Sequence, residues 1–430
     1  MPRHVFILLV MMFVAMAADG TVVADYATRL PLRDASVFDR DGHAVGTTGR
    51  GGHIPDISET EYPLTIRYMG YAERSLPSAD YDTIFLHEIV TELPEMVVES
   101  RRHTMLHILA YVREYSTLTT YTDTVFMFRE KMVDYMLPGT GDSKRFKGWT
   151  RPRILTSKSY YRYTDSQGRD SVSDRCNHHF SWADWVGILP AVESPARLRS
   201  TGARTDTVRG KYSPTEIWSR QGDRLNVDVN VLADTSSRKW VPNLSRFFSN
   251  DTDFEKFRLR LNYDDIDGKE VTPLNLTGYS FNIESNGRGR VMFMFNRVDQ
   301  PFYVSTYAEV YIADKEFITI KEARKWQNHR TGSDSMAIYE PASAPALSPN
   351  VLELIARVNN VDADGIRLAM KPDHRLMGRG VVHLNAGQQI LQRIKGMFGI
   401  DQIIGRRKWN RHWNDFSRDR VRHNNASAED

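Results

Sequence analysis

From Gly20 to Val98, apolar and polar residues alternate in short runs broken by turn residues, the pattern of half-buried strands. "GTVVAD" starts a strand, "ASVFDRDG" alternates up to a turn at Asp41-Gly42, and "GTTGRGGHI" is turn-rich. "PLTIRYMGY" and "TIFLHEIV" follow. In the first of these, Leu64, Ile66 and Tyr68 fall on one face and Thr65 and Arg67 on the other, and Gly70 lets the chain bend. No helical period intervenes, so a small β-sandwich is expected over residues 18–98.

The period then changes. Met105, Leu106, Ile108, Leu109, Val112 and Tyr115 are spaced as on one side of a helix. "TVFMFREKMVDYML", residues 124–137, continues in the same way, with Asp123 as N-cap and Pro138-Gly139 as stop. The spacing predicts a helical connector over 99–147. Alternation resumes in "RLNVDVNVLAD", "KFRLRLNYDDIDGKEVTPLNL" and "RVMFMFNRVDQPFYVSTYAEVYIADKEFITI", which predicts a second β-rich domain over 148–338. "YEPASAPALSPN" reads as a linker, 339–350. Short helices, Val351–Val358 and Asn385–Phe398, and a basic, partly disordered tail complete the expected order over 351–430. The fold class is therefore mainly β.

Five segments of the N-terminal unit, "GTVVAD", "PLRDASVF", "GTTGRGGHI", "PLTIRYMGY" and "LPEMVVES", follow the order and spacing of the carboxypeptidase regulatory-like domain, which this region resembles. The resemblance implies a seven-stranded prealbumin-like sandwich, common at the N-terminus of exported Bacteroidota proteins, which carries no catalytic zinc and serves as an accessory. Thr48-Gly49 and Gly52-His53 depart from the family's Thr-Asp and Gly-x-Phe, which places His53 where the family has a core aromatic.

The N-terminus adds a compartment. Residues 1–17 have a short basic start, Arg3-His4, an apolar run and Ala15-Met16-Ala17, the pattern of a secretory signal cleaved before Ala18. The expected location is the periplasm or the outer membrane. Cys176 is the only cysteine, which excludes a disulfide framework and a Cys-based zinc cluster. With 57 Lys and Arg against 54 Asp and Glu, the charge balance points to no nucleic-acid partner.

The densest gathering of chemically able residues is "CNHHFSWADWVG". His179 and Asp184 could pair across a turn as an acid-base couple, while His178 and His179 diverge on a strand and cannot readily share a metal. The competing reading is a turn anchored in a core by Trp182 and Trp185. Trp182, Trp185, Trp218 and Trp240, together with Trp149, are the candidates for stacking on sugar rings. Asp265-x-Asp267-Gly268 resembles part of a calcium loop but reads first as a hairpin turn. Arg406, Arg407, Lys408 and Arg411, interleaved with Trp409 and Trp413, could contact a membrane surface or a polyanion. Asp82-Thr83-Ile84, Asp123-Thr124-Val125, Asp170-Ser171-Val172, Asp206-Thr207-Val208 and Asp334-Ser335-Met336 resemble Bacteroidota O-glycosylation sites.

No zincin motif, nucleophile elbow, phosphate loop or dinucleotide fingerprint is present. No cofactor or metal is expected. The leading expectation is a non-catalytic envelope protein that binds a protein or glycan, with the N-terminal domain as docking or spacer module. The alternatives are a hydrolase of envelope or dietary polymers acting through 148–338, and a carbohydrate-binding protein.

Overall fold

The computed structural model describes residues 20–89, 104–119, 124–138, 146–165, 167–176, 180–189, 191–200, 204–209, 214–232, 252–264, 266, 269–287, 302–328 and 337–360. The chain divides into two compact units, Met1–Ile89 and Val90–Asp430. Both are built mainly of β-strands.

In the first unit, β1 (Val22–Asp25) and β6 (Thr83–Leu86) pair in parallel. β2 (Ser36–Phe38), β3 (Ala44–Thr47), β4 (Leu64–Arg67) and β5 (Arg74–Leu76) form a sheet of order β3-β2-β4-β5. Val23, Ile84 and Leu86 of the pair meet Val37, Leu64, Ile66 and Leu76 of the sheet in one core. The result is a small sandwich, as the alternation predicts. Both faces of β4 are buried, because Arg67 turns in to bond Glu73 at 2.5 Å. Gly70 takes a φ of +88°, a backbone state that favours glycine, at the bend after β4. His53 is half-buried and its Nδ1 lies 3.4 Å from the Gly20 carbonyl, outside the apolar core. "LPEMVVES" lies outside the described residues.

In the second unit the two expected helices are strands. β7 (Met105–Thr119) and β8 (Thr124–Pro138) pair in unbroken register along their whole lengths. The helix-like spacing arises because both faces of each strand are buried, so apolar residues occur at odd and even positions alike. Leu106, Ile108, Ala110, Val112 and Leu118 of β7 point to one face of the sheet, and Met105, His107, Tyr111, Arg113 and Tyr115 to the other. The described residues of the expected helical connector, 99–147, therefore form strands.

The boundary expected at residue 148 falls inside the sheet, since β8 pairs with β9 (Trp149–Thr164). The other members are β10 (Asp170–Ser173), β12 (Thr205–Arg209), β13 (Pro214–Gln221), β14 (Arg224–Asn230), β15 (Thr252–Tyr263), β17 (Leu276–Gly287) and β18 (Phe302–Ile318). They form one ten-stranded antiparallel sheet of order β10-β9-β8-β7-β18-β17-β15-β14-β13-β12. Two runs of sequential neighbours, β7 to β10 and β12 to β18, are joined where β18 lies beside β7. A separate short pair joins β11 (Val192–Glu193) to β16 (Glu270–Val271).

One face of the sheet is apolar across its width, with Val125 and Met127 of β8, Val310 of β18, Phe281 of β17, Leu259 of β15, Val227 of β14 and Trp218 of β13 in a single core. This face is closed by the chain itself: Phe180, Trp182, Ala183, Val186 and Ile188 pack on it, as does Leu198 of α1 (Ala196–Ser200). Gly187 is required there, because a Cβ would meet the Thr150 carbonyl oxygen at 2.2 Å while Ile188 N donates to the same oxygen at 2.9 Å.

The opposite face is polar along much of its length. At one end it is covered by α2 (Ile320–Asn328), whose start is a reciprocal cap: Glu322 N donates to Thr319 Oγ1 and Thr319 N to the Glu322 carboxylate. The expected linker also packs here, with Glu340 and the Pro345 carbonyl accepting hydrogen bonds from buried Arg113. α3 (Pro349–Asn359) follows as expected, burying Val351, Leu354 and Val358. The expected helix at 385–398 and the basic tail lie outside the described residues.

Candidate functional site

Asp184, the acid of the densest motif, is spent on ion pairs. Its carboxylate accepts from Lys131 Nζ at 2.7 Å and from Arg129 at 3.2 Å, and Lys131 also donates to Glu114 at 2.9 Å. Lys131 and Glu114 are fully enclosed by the sheet and the segment that Asp184 belongs to. Paired charge is the condition for burying such groups, and here it holds the 180–189 segment to β7 and β8. Trp182 is buried, donates to Ser285 Oγ at 2.9 Å and packs on Phe254. The Tyr135 and Tyr279 hydroxyls meet at 2.8 Å, and Tyr279 donates to the Val186 carbonyl at 3.2 Å. His178 and His179 lie outside the described residues, and Cys176 is half-buried against the apolar core.

Two of the tryptophans proposed for sugar stacking are corrected by this packing. Trp182 and Trp218 are each 1% exposed, so neither offers a ring face to a ligand. Trp149 and Trp185 are half-buried: Trp149 donates to Asp134, and Trp185 lies beneath the Arg151 guanidinium. Trp240, Asp265, Asp267, Arg406, Arg407, Lys408, Trp409, Arg411 and Trp413 lie outside the described residues. Of the hydroxyls in the glycosylation-like triplets, Thr83, Ser171 and Thr207 are exposed, Thr124 is half-buried and Ser335 lies outside the described residues.

Among the described residues, the cluster with metal-site spacing is Asp39, Asp41 and His43, whose ligand atoms lie within 4.8 Å of one another. It sits on the β2–β3 turn. Asp39 Oδ1 accepts from the backbone N–H groups of Asp41 and His43 at 2.8 Å, and Oδ2 faces His43 Nδ1 at 3.1 Å. The carboxylate is already committed to shaping the turn.

The polar face of the large sheet carries two groupings absent from the sequence reading. The first lies under α2. His107, fully buried, places Nε2 at 3.1 Å from Asp134 and Nδ1 at 2.8 Å from Glu316, with the Trp326 ring 4.5 Å away. Arg153 donates to the same Asp134 and to the Trp326 carbonyl. Burial alone would raise the Asp134 carboxyl, but the hydrogen bonds and charges of His107 and Arg153 outweigh it and hold it below the usual carboxylate range. These groups tie β7, β8, β9, β18 and α2 together.

The second grouping spans the other half of that face. Cross-strand register aligns Tyr115, Tyr307, Asn282, Arg258 and Asn230 in one row over β7, β18, β17, β15 and β14. The adjacent row is Arg113, Glu309, Ser280, Arg260 and Asp228. The charged members of this half pair with neighbours: Arg260 with Asp228 at 2.8 Å, and Lys256 with Glu284 at 2.5 Å. The Tyr307 hydroxyl donates to Glu309 at 2.8 Å. The amides differ. Asn282 has neither its nitrogen nor its oxygen hydrogen-bonded, and the side-chain oxygens of Asn230 and Asn262 have no partner either among the described residues.

The alternation in "GYSFNIES" marks Asn282 as a polar-face residue, but nothing in the sequence signals that this face is buried. For the His107 cluster, the Thr319-to-Glu322 spacing was a readable helix start that would have placed α2 after β18.

No family model and no curated protein matches the chain. Among solved structures, one of lipovitellin concerned with lipid–protein interactions aligns with a TM-score of 0.24 and 7% identity. The alignment covers 51% of this chain and 26% of that one. So low a score carries no argument about fold or function. The chain is a mainly β protein of two units, a small sandwich and a ten-stranded sheet, and the site is read from its own residues.

Proposed function

We propose that this chain is a non-catalytic binding protein of the cell envelope. It is exported by residues 1–17, its N-terminal sandwich serves for docking or spacing, and its large sheet holds a protein or glycan partner on the polar face. The observation that carries this reading is how the polar groups are used. Asp184, the described member of the motif best suited to acid-base work, is consumed in ion pairs with Arg129 and Lys131. The amides of Asn282 and Asn230 on that face are buried with hydrogen-bonding atoms left unmet.

The test is affinity capture by the mature full chain from detergent extracts of the producing cell's envelope, run beside a peptide and glycan hydrolysis screen. Selective retention of an envelope protein or glycan, without turnover, is the expected result. Turnover that is lost on Asp184→Asn would overturn the proposal in favour of a hydrolase. Attachment through Arg406, Arg407, Lys408 and Arg411 further predicts membrane association at low salt and release at high salt, because surface charge attraction is screened.

A further inference from the structure

We infer that His107 is a pH-dependent latch: as an imidazolium it fastens α2 over the apolar cluster of Met105, Met136, Phe146 and Ile318, and loss of its proton frees that helix. Such a device goes beyond the binding function proposed above and does not depend on it. The charge of the ring follows from its two contacts, Nδ1 at 2.8 Å from the Glu316 carboxylate and Nε2 at 3.1 Å from that of Asp134. Neutral imidazole carries a single N–H, so in either tautomer the other nitrogen would turn a lone pair toward a carboxylate oxygen. Only the doubly protonated ring donates to both. Counting charge leads to the same form. Asp134 and Glu316 bring two negative charges, and Arg153 is the other cation bonded to them among the described residues. A neutral ring would leave one carboxylate without an opposite charge beside a fully buried side chain.

The two carboxylates are unequal, and that decides what moves when the proton leaves. Asp134 is fully buried, with Arg153 on both of its oxygens and Trp149 Nε1 on Oδ1 at 3.1 Å, so it stays in place and keeps the remaining N–H. Glu316 is 49% exposed, and its carboxylate has no other partner among the described residues, so it is released into water. Glu316 lies just before Thr319, whose reciprocal cap with Glu322 starts α2, and its release loosens the joint on which the helix is set. Toward the other end of α2, the Trp326 ring lies 4.5 Å from the imidazole and loses the attraction of a cation. The bond from Arg153 to the Trp326 carbonyl and the packing of Ala323 remain. The other charged groups nearby are engaged elsewhere: Lys321, Glu322, Arg324 and Lys325 of α2 are exposed, Lys315 of β18 donates to the Leu274 carbonyl, and Tyr111 of β7 donates to Glu130. Arg153 keeps its charge at any ordinary pH, and Asp134 is held below the usual carboxylate range. The imidazole is therefore the member of the cluster that changes charge near neutrality, closing the latch at lower pH and opening it as pH rises.

The experiment is hydrogen–deuterium exchange of the full-length protein from about pH 6 to about pH 9, with rates corrected for the pH dependence of exchange in free amides. Protection of the α2 amides should fall by about tenfold over that range, the effect of one charge-assisted hydrogen bond, while β7 and β8 stay protected. His107→Gln should abolish the pH response. Glu316→Gln changes a half-exposed position, leaves the buried groups in place, and should flatten the response as well. Protection of α2 that does not change with pH in the wild type would overturn the inference. So would a fall of the wild-type size in either variant, and Glu316→Gln decides the matter alone if His107→Gln does not fold. Nitrogen NMR of the His107 ring at about pH 6 gives an independent readout, with both ring nitrogens protonated. A ring with one protonated nitrogen there would equally contradict the latch.

Discussion

On the apolar face of the large sheet, Glu114, Lys131, Arg129 and Asp184 are sunk between the strands and the segment that covers them, and Lys131 bonds both carboxylates. On the polar face, Asn282 and Asn230 are buried to a similar degree and keep unmet atoms. In the first set each charge is offset by a neighbour of opposite sign, although Arg129 Nε makes no hydrogen bond. The second is enclosed as well, but its members are neutral and carry no charge that could be neutralised by proton exchange. Burial alone therefore does not separate structure from function in this molecule. The two sets differ instead in what is buried, paired charges on one face and neutral amides on the other.

The strongest way to break this contrast is to unpair the charged set. Lys131→Met leaves Glu114 and Asp184 facing each other without their shared cation and should cost about 3–5 kcal/mol, read from urea denaturation. An unchanged midpoint would mean the network contributes nothing to holding the 180–189 segment.

Next in size is the cluster beneath α2. Asp134→Asn weakens the acceptor for His107 and Arg153 and should cost about 1–3 kcal/mol. Because the Asp134 carboxyl is held below its ordinary value, its contribution is present above the unfolded carboxyl range and disappears as pH falls through the folded value. Wild-type stability should decline more steeply than that of the variant as pH drops below about 4, the ordinary range of an Asp carboxyl. Parallel curves would remove Asp134 from the acid sensitivity. Asp25 in the N-terminal unit has the same sign: burial raises it, and hydrogen bonds led by that from Tyr71 more than offset this. Asp134→Asn should therefore leave some acid dependence in place.

Smaller again is Tyr135→Phe, which deletes one hydroxyl of the Tyr135–Tyr279 pair while Tyr279 keeps the Val186 carbonyl. About 1 kcal/mol is expected. A loss several times larger would mean that the pair, rather than the ion network, fastens the covering segment.

How much of this could be read beforehand depended on which faces meet water. The N-terminal sandwich was legible because Leu64, Ile66 and Tyr68 alternate with polar residues, and Gly70 marks the bend. β14 and β15 were legible for the same reason, with Val227 and Val229, or Leu259 and Leu261, separated by polar residues. β7 and β8 were not. With Ile108 and Tyr111 buried on opposite faces, the two-residue period vanishes, and the remaining apolar spacing imitates a helix. α3 was visible through its apolar spacing after Pro349, while α2 was hidden behind the aromatic run of β18. For the site, "CNHHFSWADWVG" was singled out as dense in function-capable groups. Its described members fasten a covering segment, because a tryptophan or a charge in sequence does not state which side of a sheet will close over it. Asn282 carried no such signal. Its meaning comes from the absence of partners, which only the folded sheet defines.

The most direct measurement sets the two faces against each other: thermal unfolding of Asn282→Leu and Lys131→Met, both in the full chain without added ligand. Removing an unmet amide should leave the melting temperature unchanged or higher, and removing a shared cation should lower it by several degrees. If Asn282→Leu falls as Lys131→Met does, both faces are structural and the polar face is no binding site.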